Sequence, residues 1–159
     1  MEKLENQQHL SSIVLYGENW KKGVIGIVAS RLTELYFRPT VVLTIVDGMA
    51  TGSARSVAGF DIYDAIKSCR DLLENFGGHT YAAGLSMKKE NIPAFSKRFQ
   101  AYVNNHIQPE QTQALLDIEE EIDFKDITKK MLTDLKKFAP HGPFNPKPLF
   151  CTHNVYDYG

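Results

Sequence analysis

Two short stretches of this 159-residue chain combine residue types that can hold an anion. In Gly77-Gly78-His79-Thr80-Tyr81-Ala82-Ala83-Gly84, paired glycines let a ligand approach the main chain, and the histidine beside them can donate to a phosphate oxygen. Small residues at Ala82, Ala83 and Gly84 keep the following stretch free of bulk. In Gly52-Ser53-Ala54-Arg55-Ser56, two hydroxyls and a guanidinium fork fall within five residues, which is the inventory of a phosphate site. Each stretch also has a plainer reading. Gly77 could be the C-cap of a helix followed by a satisfied histidine, and Arg55 a surface residue of a twisted edge strand. Spacing alone leaves both readings open.

Other chemistry is thinly represented. Trp20, beside Lys21 and Lys22, could stack on a base or simply cap a core. There is no His-x-His and no Asp-His-His, and the alternating acids from Asp117 to Asp123 read as a solvated strand face. A two-metal phosphoesterase centre needs several carboxylates and histidines around one point, which this sequence does not supply. No Gly-x-Ser-x-Gly elbow occurs, and Cys69 falls inside a predicted helix.

The elements that must position these residues read as an α/β arrangement, a mixed β-sheet flanked by helices. Residues Ser12 to Tyr16 predict a buried strand ended by Gly17. Apolar residues at Val24, Ile27, Val28, Leu32, Leu35 and Tyr36 predict a helix over 24–37 packed on a sheet, with Gly26 and Ala29 allowing close approach. The β-branched run Thr40 to Val46 predicts a central strand, and Asp47-Gly48 a tight turn into a returning strand Met49 to Arg55. A helix with Asp61 as N-cap is expected to run to Phe76, placing Gly77 just past its C-terminus and His79 in a loop. A strand over 83–87 and a helix from Asn91 to about Ile107 follow, the helix burying Phe95, Phe99, Tyr102 and Val103. After a linker over 108–113, a strand is expected at 115–122, a helix at 124–138 with Ile127, Met131, Leu132, Leu135 and Phe138 inward, and a strand at 149–156 whose partners are missing.

Composition fits a soluble globular protein, with 43% hydrophobic and 23% charged residues and a formal charge of −1. No apolar run approaches the roughly 20 residues of a membrane span, and the first residues lack the apolar core of a signal peptide, so no membrane is expected and the cytoplasm is the default. Cys69 and Cys151 stand far apart and read as reduced thiols. Charge is uneven. Between Asn19 and Ser56 five basic residues face two acids, whereas between Glu110 and Asp126 seven acids face Lys125 alone. An anionic ligand would approach the first region and avoid the second.

The order of these pieces adds what each alone lacks. The run Trp20-Lys21-Lys22-Gly23-Val24-Ile25-Gly26-Ile27-Val28-Ala29-Ser30-Arg31-Leu32, then Arg38-Pro39, Gly52-Ser53-x-Arg55-Ser56 and Gly77-Gly78-His79-x-x-Ala82-Ala83-Gly84, closely resembles the DHH-associated domain of the RecJ family of bacterial single-stranded-DNA exonucleases. Ile122-Asp123-Phe124-x-Asp126-Ile127 and Pro140-x-Gly142-Pro143-x-Asn145-Pro146 resemble the segment leading into that family's OB-fold. The resemblance implies three parts: 1–11 as the end of a helix joining a catalytic DHH domain, 12–107 as the substrate-binding domain, and 108–159 as linker, helix and a truncated start of the OB-fold region. It further implies a 5′ to 3′ exonuclease parent. The DHH lobe of that parent would hold Mn2+ or Mg2+, and this chain would ligand neither. Ser53, Arg55 and Ser56 would then bind the 5′-terminal phosphate or adjacent backbone. His79, with the Gly77 and Gly78 backbone, would face the scissile phosphate as the catalytic contribution, and Trp20 and Lys22 would touch the strand. Single-stranded DNA and the DHH domain are the implied partners, with other repair proteins left open, and this chain alone is expected to be inactive. Two further readings remain: the matching half of a short DHH phosphoesterase acting on oligoribonucleotides or small nucleotides, and a non-catalytic binding or dimerisation module.

Overall fold

The β-branched run forms an interior strand of a five-stranded sheet, its side chains buried on both faces. The computed structural model describes residues 11–142 and 145–156, so the expected joining helix over 1–11 lies almost wholly outside the described residues. Strands β1 (Ile13–Glu18), β2 (Thr40–Val46), β3 (Met49–Arg55), β4 (Asn75–His79) and β5 (Ala82–Lys88) take the order β1-β2-β3-β5-β4. β1 and β2 are parallel, joined over the sheet by helix α1 (Lys22–Tyr36); the other pairings are antiparallel. Asp47 and Gly48 both take positive φ, 49° and 77°, the geometry a two-residue hairpin turn demands between β2 and β3.

Strand alternation divides the sheet into two faces. Val41, Leu43 and Ile45 of β2, with Ala50, Ala54, Ala83, Leu85 and Met87, face the main core. Two helices close it: α2 (Ile62–Lys67) through Ile62, Ala65 and Ile66, and α3 (Ile92–His106) through Ile92, Phe95, Phe99 and Val103. Phe95 and Phe99 stack with ring centroids 5.6 Å apart at its centre. Ser12 reaches across to α3, its hydroxyl donating to Gln100 Oε1 at 2.7 Å. On the other face, α1 rests on Val42 through Ile25 and Ala29.

Three expectations are corrected here. The apolar stripe expected to pack α1 points largely away: Val24, Ile27 and Leu35 are 48%, 64% and 68% exposed, while Ile25, Ala29 and Thr33 are buried. The sheet beneath this helix carries Thr40, Thr44, Thr51, Ser53 and Arg55, so small and polar side chains make the approach. The second predicted helix is capped by Asp61, whose side chain accepts from Asp64 N, but it stops at Lys67. A 3-10 turn over Arg70–Leu72 follows, and Gly77 lies inside strand β4 rather than at a helix C-cap. The strand wins because Glu74 to His79 find backbone partners on β5, with Glu74 N donating to Ser86 O at 2.8 Å. Asn91 stands at the N-cap position of α3 without a side-chain cap bond, and its amide donates instead to Leu72 O at 2.9 Å.

Residues from Leu115 onward form a second unit. Within it, β6 (Glu120–Glu121) pairs in parallel with β7 (Phe150–Cys151), so the final strand has a partner, and both strands are far shorter than expected. The predicted helix over 124–138 is a 3-10 turn at Phe124–Asp126 followed by α4 (Lys129–Lys136), capped by Thr128. No residue of α4 is buried, and Leu132 and Phe138 are exposed.

Candidate phosphate-binding site

Two residues apart on β3, Ser53 and Arg55 share the face over which α1 crosses. On α1, Lys22, Gly26 and Ser30 recur at intervals of four and so line one flank. The half-buried Arg55 guanidinium is held against that flank. Its Nε donates to Ser30 Oγ at 3.1 Å, and its Nη1 donates to Ser53 Oγ at 2.7 Å and to the Ala54 carbonyl at 2.8 Å. A Cβ at Gly26 would lie 3.1 Å from Arg55 Nη2 and 3.3 Å from Ser53 Oγ. Among the described residues no carboxylate forms an ion pair with Arg55.

Antiparallel register brings the second stretch alongside. Arg55 lies opposite Ala82, which lies opposite His79, and residues directly opposite in a sheet point to one face. With neighbouring strands about 4.8 Å apart, the β3 and β4 backbones here are separated by about 10 Å, with only the Ala82 methyl between them. The next row on this face is Ser53, Gly84 and Gly77. A Cβ on Gly77 would meet nothing, and one on Gly84 only a distant carbonyl at 3.9 Å, so this neighbouring row is bare backbone on β5 and β4. His79 itself is exposed.

The remaining predicted site residues are distributed differently. Gly78 has φ 151°, and a Cβ there would sit 2.3 Å from Ala82 O and 2.5 Å from Ala83 Cα. Its glycine is thus required by the contact between β4 and β5. Ser56 sits at the same end of the sheet, but its hydroxyl donates to Phe60 O at 2.6 Å and its N–H to Tyr81 O at 3.0 Å, closing the loop. Lys22 lies on the same flank of α1 as Gly26, about 5.4 Å or one turn away. Trp20 is not part of this gathering. A Cβ on Gly17 would fall 2.3 Å from its ring, and it lines a cleft with Asn19, Lys21, Val24 and Val28, on the opposite flank of α1. Sequence reading named Gly26 as a point of close approach to the sheet but did not single out Ser30, for which the signal was the interval of four from Lys22 through Gly26.

An arginine fork, serine hydroxyls, a histidine and exposed peptide groups suit an oxyanion. They do not suit a hard divalent cation, which takes carboxylate and carbonyl oxygens. Among the described residues no group of three or more His, Cys, Asp or Glu side chains could hold a metal ion. Among them, too, no helix is long and apolar enough to cross a membrane.

Comparison with known proteins matches residues 9–105 to the DHHA1 domain and residues 118–157 to the RecJ OB domain. The single-stranded-DNA-specific exonuclease RecJ of Bacillus subtilis is 36% identical over 147 residues, 91% of this chain and 19% of that protein. The Thermus thermophilus protein of the same name is 37% identical over 139 residues, 87% of this chain and 20% of that one. The crystal structure of Thermus thermophilus RecJ in complex with Mg2+ superposes with a TM-score of 0.78 at 32% identity, covering 89% of this chain and 22% of that one. The chain therefore spans about a fifth of the length of these relatives.

Proposed function

The chain belongs to the DHHA1 domain family, and on that premise we propose that it is the nucleic-acid-binding lobe of a RecJ-type 5′ to 3′ single-stranded-DNA exonuclease. In this reading Arg55 and Ser53 grip the 5′-terminal phosphate or its neighbour, and His79 stands over the next phosphate, where charge develops during cleavage. Lys22 adds a cation to the approach. Gly77 contributes open backbone, while Gly78 serves the sheet and Ser56 the loop that supports it. The metal ions, Mg2+ or Mn2+ as in the Thermus thermophilus structures, belong to a separate DHH lobe of the parent enzyme. This lobe by itself binds and orients but does not hydrolyse. Single-stranded DNA and that DHH lobe are its partners, and the cytoplasm is where the parent would act.

The observation that carries this reading is the cross-strand row Arg55, Ala82, His79, which sets a cation without a carboxylate partner among the described residues on one face with a histidine, with only the Ala82 methyl between them and glycines in the next row. The RecJ OB match over 118–157 weighs against a short DHH phosphoesterase. The test is a titration, at stated low salt, of the chain and of Arg55→Ala against a single-stranded oligonucleotide ending in a 5′-phosphate or a 5′-hydroxyl. A charge-assisted contact of about 1.5–3 kcal/mol corresponds to a preference for the phosphate of roughly ten- to hundredfold, lost in Arg55→Ala. The slope of log affinity against log salt should also fall by about 0.7. Equal binding of both ends by the unsubstituted chain would remove the end-recognition role.

A further inference from the structure

Arginine presents five N–H donors, and a phosphate-binding arginine works best when those facing the ligand are held in place before it arrives. At Arg55 three of the five are engaged within the chain: Nε–H with Ser30, and both hydrogens of Nη1 with Ser53 and the Ala54 carbonyl. The Nη2 pair remains, lying beside Gly26. Ser30 is itself fixed, its hydroxyl donating to Gly26 O at 3.1 Å, so the oxygen turns its free lone pair to Nε. Glycine inside a helix lowers stability relative to alanine. At position 26 the nearest atoms a side chain would crowd are Arg55 Nη2 at 3.1 Å and the Ser53 hydroxyl at 3.3 Å.

We propose that Ser30 is a positioning residue for the anion site. By accepting from Nε it fixes the plane of the Arg55 guanidinium so that both Nη2 hydrogens face the incoming oxyanion, and Gly26 keeps the space beside Nη2 clear. Helix α1 thereby becomes part of the binding apparatus and not only a cover for the sheet. This inference rests on the reading of Arg55 as the phosphate-binding group.

The probe is the 5′-phosphorylated single-stranded oligonucleotide, with its 5′-hydroxyl counterpart as reference, titrated against Ser30→Ala, Ser30→Thr, Gly26→Ala, Arg55→Ala and the double variant Ser30→Ala with Arg55→Ala. Loss of one net hydrogen bond predicts that Ser30→Ala lowers the preference for the phosphate about five- to tenfold. Ser30→Thr, which keeps the hydroxyl, restores most of it, and Ser30→Ala has no further effect once Arg55 is alanine. Gly26→Ala lowers the preference while leaving the thermal midpoint unchanged or higher, a combination that a purely structural role would not give. If Arg55→Ala abolishes the preference but Ser30→Ala does not, the positioning role is wrong. It is equally wrong if Ser30→Ala costs the same with and without Arg55. If the unsubstituted chain shows no preference, or Arg55→Ala keeps it, the phosphate reading of Arg55 fails first and this inference falls with it.

Discussion

Gly77 and Gly78 are adjacent in sequence, yet their surroundings differ, and alanine at each position separates the two roles proposed for them. At Gly78 a Cβ would lie 2.3 Å from Ala82 O, 2.5 Å from Ala83 Cα and 2.8 Å from Ala83 Cβ. Two of these atoms are backbone of the paired strand, so no rotamer change relieves the clash. The φ of 151° adds strain that L side chains rarely tolerate, about 1–3 kcal/mol for such outliers. Because β4 is an edge strand, relief comes from peeling it off β5, which removes the pairing that holds His79 opposite Ala82. Gly78→Ala should therefore cost about 2–4 kcal/mol, lowering the melting temperature by on the order of 10–25 °C for a unit of this size. At Gly77 a Cβ would meet nothing within 4 Å. Gly77→Ala should leave the melting temperature unchanged or raise it slightly, since glycine in a strand costs about 0.5–1 kcal/mol relative to alanine. The same methyl would stand on this face in the row of Gly84 and Ser53, next to the row of His79 and Arg55, and weaken oligonucleotide binding. The assay is thermal denaturation followed by circular dichroism, with binding measured on whichever variant stays folded. A Gly78→Ala chain as stable as the unsubstituted one, or two variants equally destabilised, would refute the assignment of one glycine to the sheet and the other to the ligand.

Two further outcomes follow from buried and paired groups. Burial pushes the Cys69 thiol up from its ordinary pKa, against a smaller lowering by the Ser68 hydroxyl, and the residue is fully buried in the core; Cys151 is partly exposed. A thiol reagent at mildly alkaline pH should label Cys151 first and reach Cys69 only as the chain unfolds, which mass spectrometry of peptides resolves. The Asp71 carboxyl is held below its ordinary value chiefly by a hydrogen bond from Arg98. A carboxylate with a lowered folded-state pKa stabilises the fold above its unfolded pKa, near 3.9, and that contribution is lost as pH falls further. Asp71→Asn should therefore flatten acid denaturation below about pH 4 and leave neutral stability almost unchanged, because the pair is exposed. Denaturant midpoints at neutral pH and near pH 3 check this.

Local pattern was enough to establish most elements of the first unit, though not strand β4, which it read as the end of a helix and a loop. The β-branched run of β2, the Asp47-Gly48 turn, the Asp61 cap, Pro93 in the first turn of α3 and its Phe95 and Phe99 face all depend on neighbours within a few residues. The donor inventory of Ser53, Arg55 and His79 was legible for the same reason, since side-chain type alone defines what those groups can donate. What sequence left open was whether Arg55 and His79 lie at the same end of one sheet face, and which face of α1 turns inward. Both were settled by pairing between distant segments. The register of β3, β5 and β4 sets Arg55 and His79 on either side of Ala82, and hydrogen bonds to β5 draw Gly77 into a strand where local signals pointed to a helix end. The inward face of α1 follows from the surface beneath it. A floor of threonine, serine and arginine admits Ala29, Gly26 and Ser30, and leaves Val24, Ile27 and Leu35 exposed, an outcome fixed by the partner surface and invisible to the helix's own periodicity.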